Sequence, residues 1–312
     1  MRVRAGINAL TAAFVVGLAA GIALTPDGRA WLRHPTLMLG SGAHAETAPV
    51  ETPRPAEAPA PAATPPVVAQ PVVAVTPLRA RLAQGPLRIG VFGDSMADGL
   101  YAGLYRDLRD QPNVSVSKFS QVSTGLSRYD FVDIQAKTAR QLDEQPVDVA
   151  VILFGTNDAQ AIELDGQIHA FGSEAWKAAY AKRVDDLVAL LRGRDVAVYW
   201  VGLPRMKRDS FETKMTLINS VVEARMRALG VPYFETTKIT SDETGGYAAY
   251  LPNARGRPSL MRANDGIHMS MAGYLRISAP VAERLKHDAG LDLPQPQSGL
   301  VSAATPPVSP AA

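Results

Sequence analysis

The sequence predicts an α/β domain: a parallel, doubly wound sheet of five strands with helices on both faces. Three observations carry that expectation. The runs LRIGVFG, VSVSKFS, VDVAVILFG, VAVYWVGL and VPYFET are short and rich in Val, Ile and aromatic residues, as strands buried on both faces should be. Helical periodicity fills the intervals between them. Strand and helix therefore alternate, and parallel neighbours need crossover connections of helix length.

The first strand runs from Leu87 and stops at Asp94 and Ser95, an acid and a hydroxyl of the kind that begins helices; a helical pattern over 97–110 follows. VSVSKFS is the second strand, with a helix expected over 130–143. After VDVAVILFG comes an insertion and then a helical pattern over 173–192. VAVYWVGL precedes a helix over 212–229, and VPYFET is separated by loops from a last helix over 269–287. In this arrangement the loops that follow the strand C-termini share one edge of the sheet, where α/β proteins build their sites. No internal repeat of solenoid length is present.

The expected organisation of the 312 residues is an N-terminal membrane anchor or signal segment with its flank over 1–45, a Pro/Ala-rich linker over 46–86, one catalytic domain over 87–290 and a Pro-rich disordered tail over 291–312. Arg2 and Arg4 precede an uncharged stretch from Ala5 to Leu24, the length of one membrane span, so the chain is expected to be exported with its N-terminus cytoplasmic. A small-x-small pattern at 43–45 lies far from that stretch, which favours an uncleaved anchor over a cleaved, soluble or secreted form. The linker contains ETPRPAEAPAPAATPPVVAQP, whose prolines remove backbone donors and favour extended polyproline II. At about 3.1 Å per residue it would reach on the order of 100 Å, enough to hold the domain away from a membrane. The expected location is the periplasmic side of an inner membrane.

The chain has no cysteine, which excludes disulfides and thiolate chemistry. Its 32 basic and 30 acidic residues leave a net charge of +2, and no long basic run or aromatic–basic pattern points to nucleic acid.

Four short blocks fall on the shared edge or just before the last helix: Gly93-Asp94-Ser95, Ser123-Thr124-Gly125, Gly155-Thr156-Asn157-Asp158 and Asp265-Gly266-Ile267-His268. Their chemistry is complementary. A serine hydroxyl is a poor nucleophile until a base takes its proton; a histidine does this near neutral pH, and an acid fixes its tautomer and stabilises the imidazolium. The tetrahedral oxyanion needs preorganised donors, which backbone amides and an asparagine supply. Ser95, His268 and Asp265 fit the first three roles, and Ser95, Gly125 and Asn157 the oxyanion hole. Taken singly each has a plainer reading, Ser95 as a helix cap, Gly125 as a turn residue and Asn157 as a cap for the next segment. His169, with Asp165 nearby, competes for the role of base. A metal site at Asp265 and His268 lacks the further ligand motif that would mark it, and no metal or cofactor is expected.

Together the four blocks resemble those of the SGNH hydrolases, the GDSL-like lipase and esterase superfamily, in matching order over 87–287. That resemblance implies a three-layer α/β/α flavodoxin-like sandwich, a nucleophile at Ser95, a triad completed by Asp265 and His268, and an oxyanion hole formed by the Ser95 amide, Gly125 and Asn157. The anchor and tether are similar to those of envelope-facing bacterial members. Met96 stands where these proteins usually carry leucine, which leaves the reacting groups intact, and GDSMA is not the GxSxG elbow of α/β-hydrolases.

The implied reaction is ester hydrolysis through an acyl-enzyme, on an O-acetylated envelope glycan or a lipid ester. Acyl transfer to a polysaccharide hydroxyl and a non-catalytic envelope-binding role are the alternatives. Arg205, Arg255 and Arg257, with Lys207, Arg208 and Arg262, are expected to form a basic rim that draws in an anionic substrate. Tyr247, Tyr250 and Trp176 are candidate supports for a sugar or acyl group.

Overall fold

A computed structural model of the protein describes residues 75–292. Five parallel strands, β1 (Leu87–Gly93), β2 (Val114–Lys118), β3 (Val149–Leu153), β6 (Ala197–Val201) and β7 (Tyr233–Phe234), form one sheet in the order β2-β1-β3-β6-β7. Every residue of β3 and all but Arg88 of β1 are buried, because helices cover both faces of the two central strands. Edge strands β2 and β7 are only partly buried.

One face carries α1 (Leu78–Gln84), α2 (Ser95–Leu108) and α6 (Met271–Ala289), the other α3 (Ile134–Glu144), α4 (Glu174–Arg192) and α5 (Asp209–Leu229). Right-handed crossovers demand this division: the chain steps one way from β1 to β2, then reverses and runs through β3, β6 and β7. The reversal lies between β1 and β3, and ligands bind at such switch points, beyond the strand C-termini. Ser95 follows β1 and Asn157 follows β3, one on each side of it. The fold class is the one expected, a three-layer α/β/α sandwich on a five-stranded parallel sheet.

Three features depart from expectation. Residues 75–86, within the expected linker, are part of the fold: α1 buries Leu78, and Arg81 donates to the carbonyls of Thr76 (2.8 Å) and Asp148 (2.6 Å) and pairs with Asp195 at 3.1 Å. Two antiparallel hairpins extend the loops at the site edge, β4 (Ile162–Leu164) with β5 (Gln167–His169), and β8 (Tyr250–Pro252) with β9 (Pro258–Leu260). Trp176 lies inside α4 with 0 % exposure, its indole N–H donating to the Gln160 carbonyl and its ring stacked on Tyr180. It is core, and no support for a ligand.

The expected anchor within 1–45, the greater part of the linker and the tail beyond 292 lie outside the described residues. Among the described residues no helix is long and apolar enough to cross a membrane.

Candidate active site

The opening block removes the helix-cap reading of Ser95. The residue that caps α2 is Asp94, whose Oδ1 accepts from the Met96 amide at 2.9 Å, and Ser95 is the first helical residue. Its hydroxyl is therefore free for another partner. Ser95 Oγ lies 2.8 Å from His268 Nε2, and His268 Nδ1 lies 2.6 Å from Asp265 Oδ2. The other Asp265 oxygen accepts from the amides of Ile267 and His268, both at 2.9 Å, so the acid shapes the turn that carries the histidine. Burial raises the Asp265 carboxyl, but the His268 ring and these two amides outweigh it and hold the group below its ordinary value. Asp265 is thus an anion, suited to orient the imidazole and to stabilise its charged form.

Helix packing brings Ser95 and His268 together across 173 residues of sequence. The first turn of α2 carries Ser95, and α6 begins three residues after His268. The two helices touch where α2 has glycines: a Cβ on Gly99 would lie 2.0 Å from the Tyr274 ring, and one on Gly103 would lie 2.6 Å from the Ser278 hydroxyl. Gly93, at φ +149°, is equally constrained, since a Cβ there would meet the Leu153 carbonyl oxygen at 2.0 Å. Only glycine fits where the chain leaves β1 for α2.

Two buried carboxylates lock the remaining blocks in place. Asp94 Oδ2 accepts from the Gly155 amide (3.3 Å), the Thr156 amide (3.1 Å) and the Thr156 hydroxyl (2.7 Å), joining the first block to the third. Asp158 Oδ1 accepts from the Ser127 amide and hydroxyl, at 2.8 and 2.9 Å, and Oδ2 accepts from Tyr180 at 2.8 Å, joining the third block to the segment just after the second and to α4. Burial raises both: Asp94 is pushed up to about 6, against hydrogen bonds from Thr156 and Met96 and with the charge of Asp158 adding to the rise.

These ties hold the expected oxyanion donors to the block that carries Ser95. Among the described residues neither the Ser95 nor the Gly125 amide donates to a protein acceptor. Asn157 donates through Nδ2 to the Thr124 carbonyl at 2.9 Å, which orients the amide and leaves its second N–H available. The Ser95 amide itself opens α2, at the positive end of the helix, where negative charge is favoured.

Other expected participants are placed elsewhere. His169 stands on the β4–β5 hairpin opposite Ile162, and the Ser95 hydroxyl is paired with His268 instead. Arg205 is committed to Glu212 at 2.7 Å and to the Ser241 hydroxyl at 3.2 Å, so it is not a free rim charge. Arg262 is 1 % exposed and also leaves the rim. Arg255 and Arg257 remain exposed at the β8–β9 tip. Asn253 holds that tip through its side-chain oxygen, which accepts from the amides of both arginines at 2.9 and 3.2 Å.

A cavity of about 510 Å³ lined by Ser127, Tyr129, Gln160, Glu163 and Arg183 adjoins the second and third blocks. Another, of about 590 Å³, lies at the opposite sheet edge, where Arg81 and Arg88 are paired with Asp195 and Asp148. It is remote from the serine. Among the described residues no cluster of acids and histidines could hold a metal ion.

The chain is similar to solved structures that include an acetylxylan esterase from Geobacillus stearothermophilus, crystallised as a catalytic mutant (16% identity, 64% of this chain and 95% of that one, TM-score 0.47). It is also similar to a GDSL-like lipase from Bacteroides thetaiotaomicron (12% identity, 67% and 95%, TM-score 0.43). No curated protein sequence matches it. The model of a family described as "Protein of unknown function (DUF459)" matches residues 88–284, well over half of the chain, and the protein belongs to that family.

Proposed function

We propose that the protein is an exported serine esterase that cleaves an ester on a cell-envelope substrate through an acyl-enzyme at Ser95. The observation that carries the reading is the relay from Ser95 Oγ to His268 Nε2 (2.8 Å) and from His268 Nδ1 to Asp265 (2.6 Å). His268 takes the Ser95 proton as Oγ adds to the ester carbonyl, and the amides of Ser95 and Gly125 with the free Asn157 N–H hold the oxyanion. Collapse breaks the bond to the leaving oxygen, which receives the proton from His268. A water then gives its proton to His268 and its oxygen to the acyl carbon. Ser95 recovers the proton as the carboxylic acid departs.

The exposed Arg255 and Arg257, with Tyr250 61 % exposed on the same hairpin, support an anionic glycan bearing the ester. Export and anchoring on the periplasmic face of a membrane rest on Arg2, Arg4 and the uncharged run behind them.

Fluorophosphonate labelling combined with a short-chain ester assay tests the reaction. Label on Ser95 and turnover that both vanish in Ser95→Ala are expected. Turnover surviving that substitution in a clean preparation would refute the assignment.

A further inference from the structure

Among the described residues Arg262 is the most thoroughly buried arginine, at 1 % exposure. No carboxylate lies within ion-pairing distance of it among the described residues. Its hydrogen bonds instead run from one nitrogen, Nη2, to the carbonyls of Gly266 (3.2 Å) and Ile267 (2.8 Å), the two residues between Asp265 and His268. Met206 Sδ lies 3.6 Å from the same nitrogen, and the Tyr247 ring lies across the guanidinium with its centroid 5.4 Å away.

The local backbone explains why an arginine is needed there. Arg262 and Met269 are paired in an antiparallel bridge, and the Ala263 amide donates to the His268 carbonyl, so residues 262–269 form a closed loop with the relay at its tip. Gly266 takes φ +70°, and a Cβ on it would lie 2.4 Å from Lys207 Cβ. The loop is thus pressed against the segment that follows β6. Asp265 satisfies the amides of the turn. Its carbonyls need donors from behind, and one planar nitrogen with two N–H groups reaches both.

We propose that Arg262 is a positioning residue of the relay: by holding the Gly266 and Ile267 carbonyls it fixes the turn on which Asp265 and His268 meet Ser95. It touches neither substrate nor the reacting atoms. Without it the Ile267 carbonyl loses its partner and the Gly266 carbonyl keeps only the Lys207 amide (3.2 Å), so the turn is free to rotate about that remaining tie and the histidine moves relative to Ser95. Displacement of a reacting group by about 1 Å can lower turnover roughly 10²-fold. The charge also lies on the Asp265 side of the relay, where it favours the carboxylate.

The inference rests on the esterase reading, and its test separates the two. Wild type, Arg262→Met and Arg262→Lys are compared as full chains by kcat and KM on a short neutral ester, and by the far-downfield proton resonance of the His268 Nδ1–H···Asp265 hydrogen bond. Methionine fills the space without donors; it should lower kcat about 10²-fold, leave KM within about 3-fold and shift or broaden the resonance away. Lysine keeps charge and donors but loses the planar geometry and should fall between the two. Wild-type kcat and an unmoved resonance in whichever variant folds would overturn the proposal. Failure of both variants to fold would also overturn it, by making Arg262 a residue of the fold at large. If the wild type shows no Ser95-dependent turnover, the esterase reading fails, while the resonance still reports whether Arg262 orients the turn.

Discussion

Asn157 has two side-chain N–H groups and spends one of them on the Thr124 carbonyl. If the other meets the oxyanion, Asn157→Ala should lower kcat by roughly 10²- to 10³-fold with a much smaller change in KM, because the bond matters most once charge has developed. Steady-state kinetics on a short ester measures it, and an unchanged kcat removes Asn157 from the hole. Asp94 has a different signature. Burial lifts it from its ordinary 3.8 to about 6, so between those values the folded protein keeps a proton that the unfolded chain has released. The contribution of this group to stability is therefore fully present below about 3.8, declines as pH rises and is gone above about 6, a loss of about 3 kcal/mol. Asp94→Asn cannot titrate. Denaturant unfolding of both proteins should thus show the wild type losing about 3 kcal/mol relative to the variant from about pH 4 to about pH 7. A difference that stays flat would mean that the hydrogen bonds from Thr156, Met96 and Gly155 hold Asp94 ionised throughout. The ionised carboxylate at neutral pH is what clamps the Gly155–Thr156 turn beside Ser95.

At the scale of elements, the α2–α6 contact decides whether Ser95 and His268 meet. Helix propensity alone predicts that Gly99→Ala stabilises α2 by about 0.5–1 kcal/mol. Sterics point the other way, since the added Cβ would sit 2.0 Å from the Tyr274 ring, and overpacking of this kind costs about 1–3 kcal/mol. The clash should win. Gly99→Ala is expected to lower the unfolding free energy by about 1–3 kcal/mol and to slow fluorophosphonate labelling of the folded protein at least about tenfold, because α6 is pushed away with the histidine before it. Normal labelling in a destabilised variant would show that the helix spacing does not set the pair. The same elements show what the sequence can reveal. The five strands were legible because buried parallel strands are near-continuous apolar runs, and the helices began within a few residues of their expected starts. Asp94 and Ser270 moved two of those starts by taking the cap positions. Strands of three residues in β4, β5, β8 and β9 are too short to show a period, and α1, seven residues between Pro77 and Gly85, was lost against the proline-rich run before it. The residues that the fold brings together, Ser95, His268 and Asp265, could be singled out from their residue types. Arg262 and Trp176 could not, because whether a charge or an aromatic ring faces inward is settled by loops that carry no periodic signal.

For the whole molecule, the question is whether the exposed charge at this edge of the sheet would draw in the anionic substrate proposed above. With Arg205 and Arg262 held inside, the basic rim reduces to Arg255 and Arg257, exposed on a tip whose backbone amides Asn253 accepts from. If these two gather an anionic polymer, Arg255→Ser with Arg257→Ser should reduce kcat/KM on that polymer by about tenfold, while turnover of a small neutral ester stays within about 2-fold. Added salt should reproduce the effect on the wild type, because exposed charges are screened beyond about 8–10 Å at near-physiological ionic strength and a neutral ester feels no such steering. The double variant, already lacking the charges, should respond weakly to salt on either substrate. Kinetics of both proteins on both esters across a salt series is the measurement. Equal losses on neutral and anionic substrates would mean that the tip acts through the geometry of the loop that leads to Asp265. A wild type whose polymer turnover ignores salt would remove the acidic glycan as the substrate class.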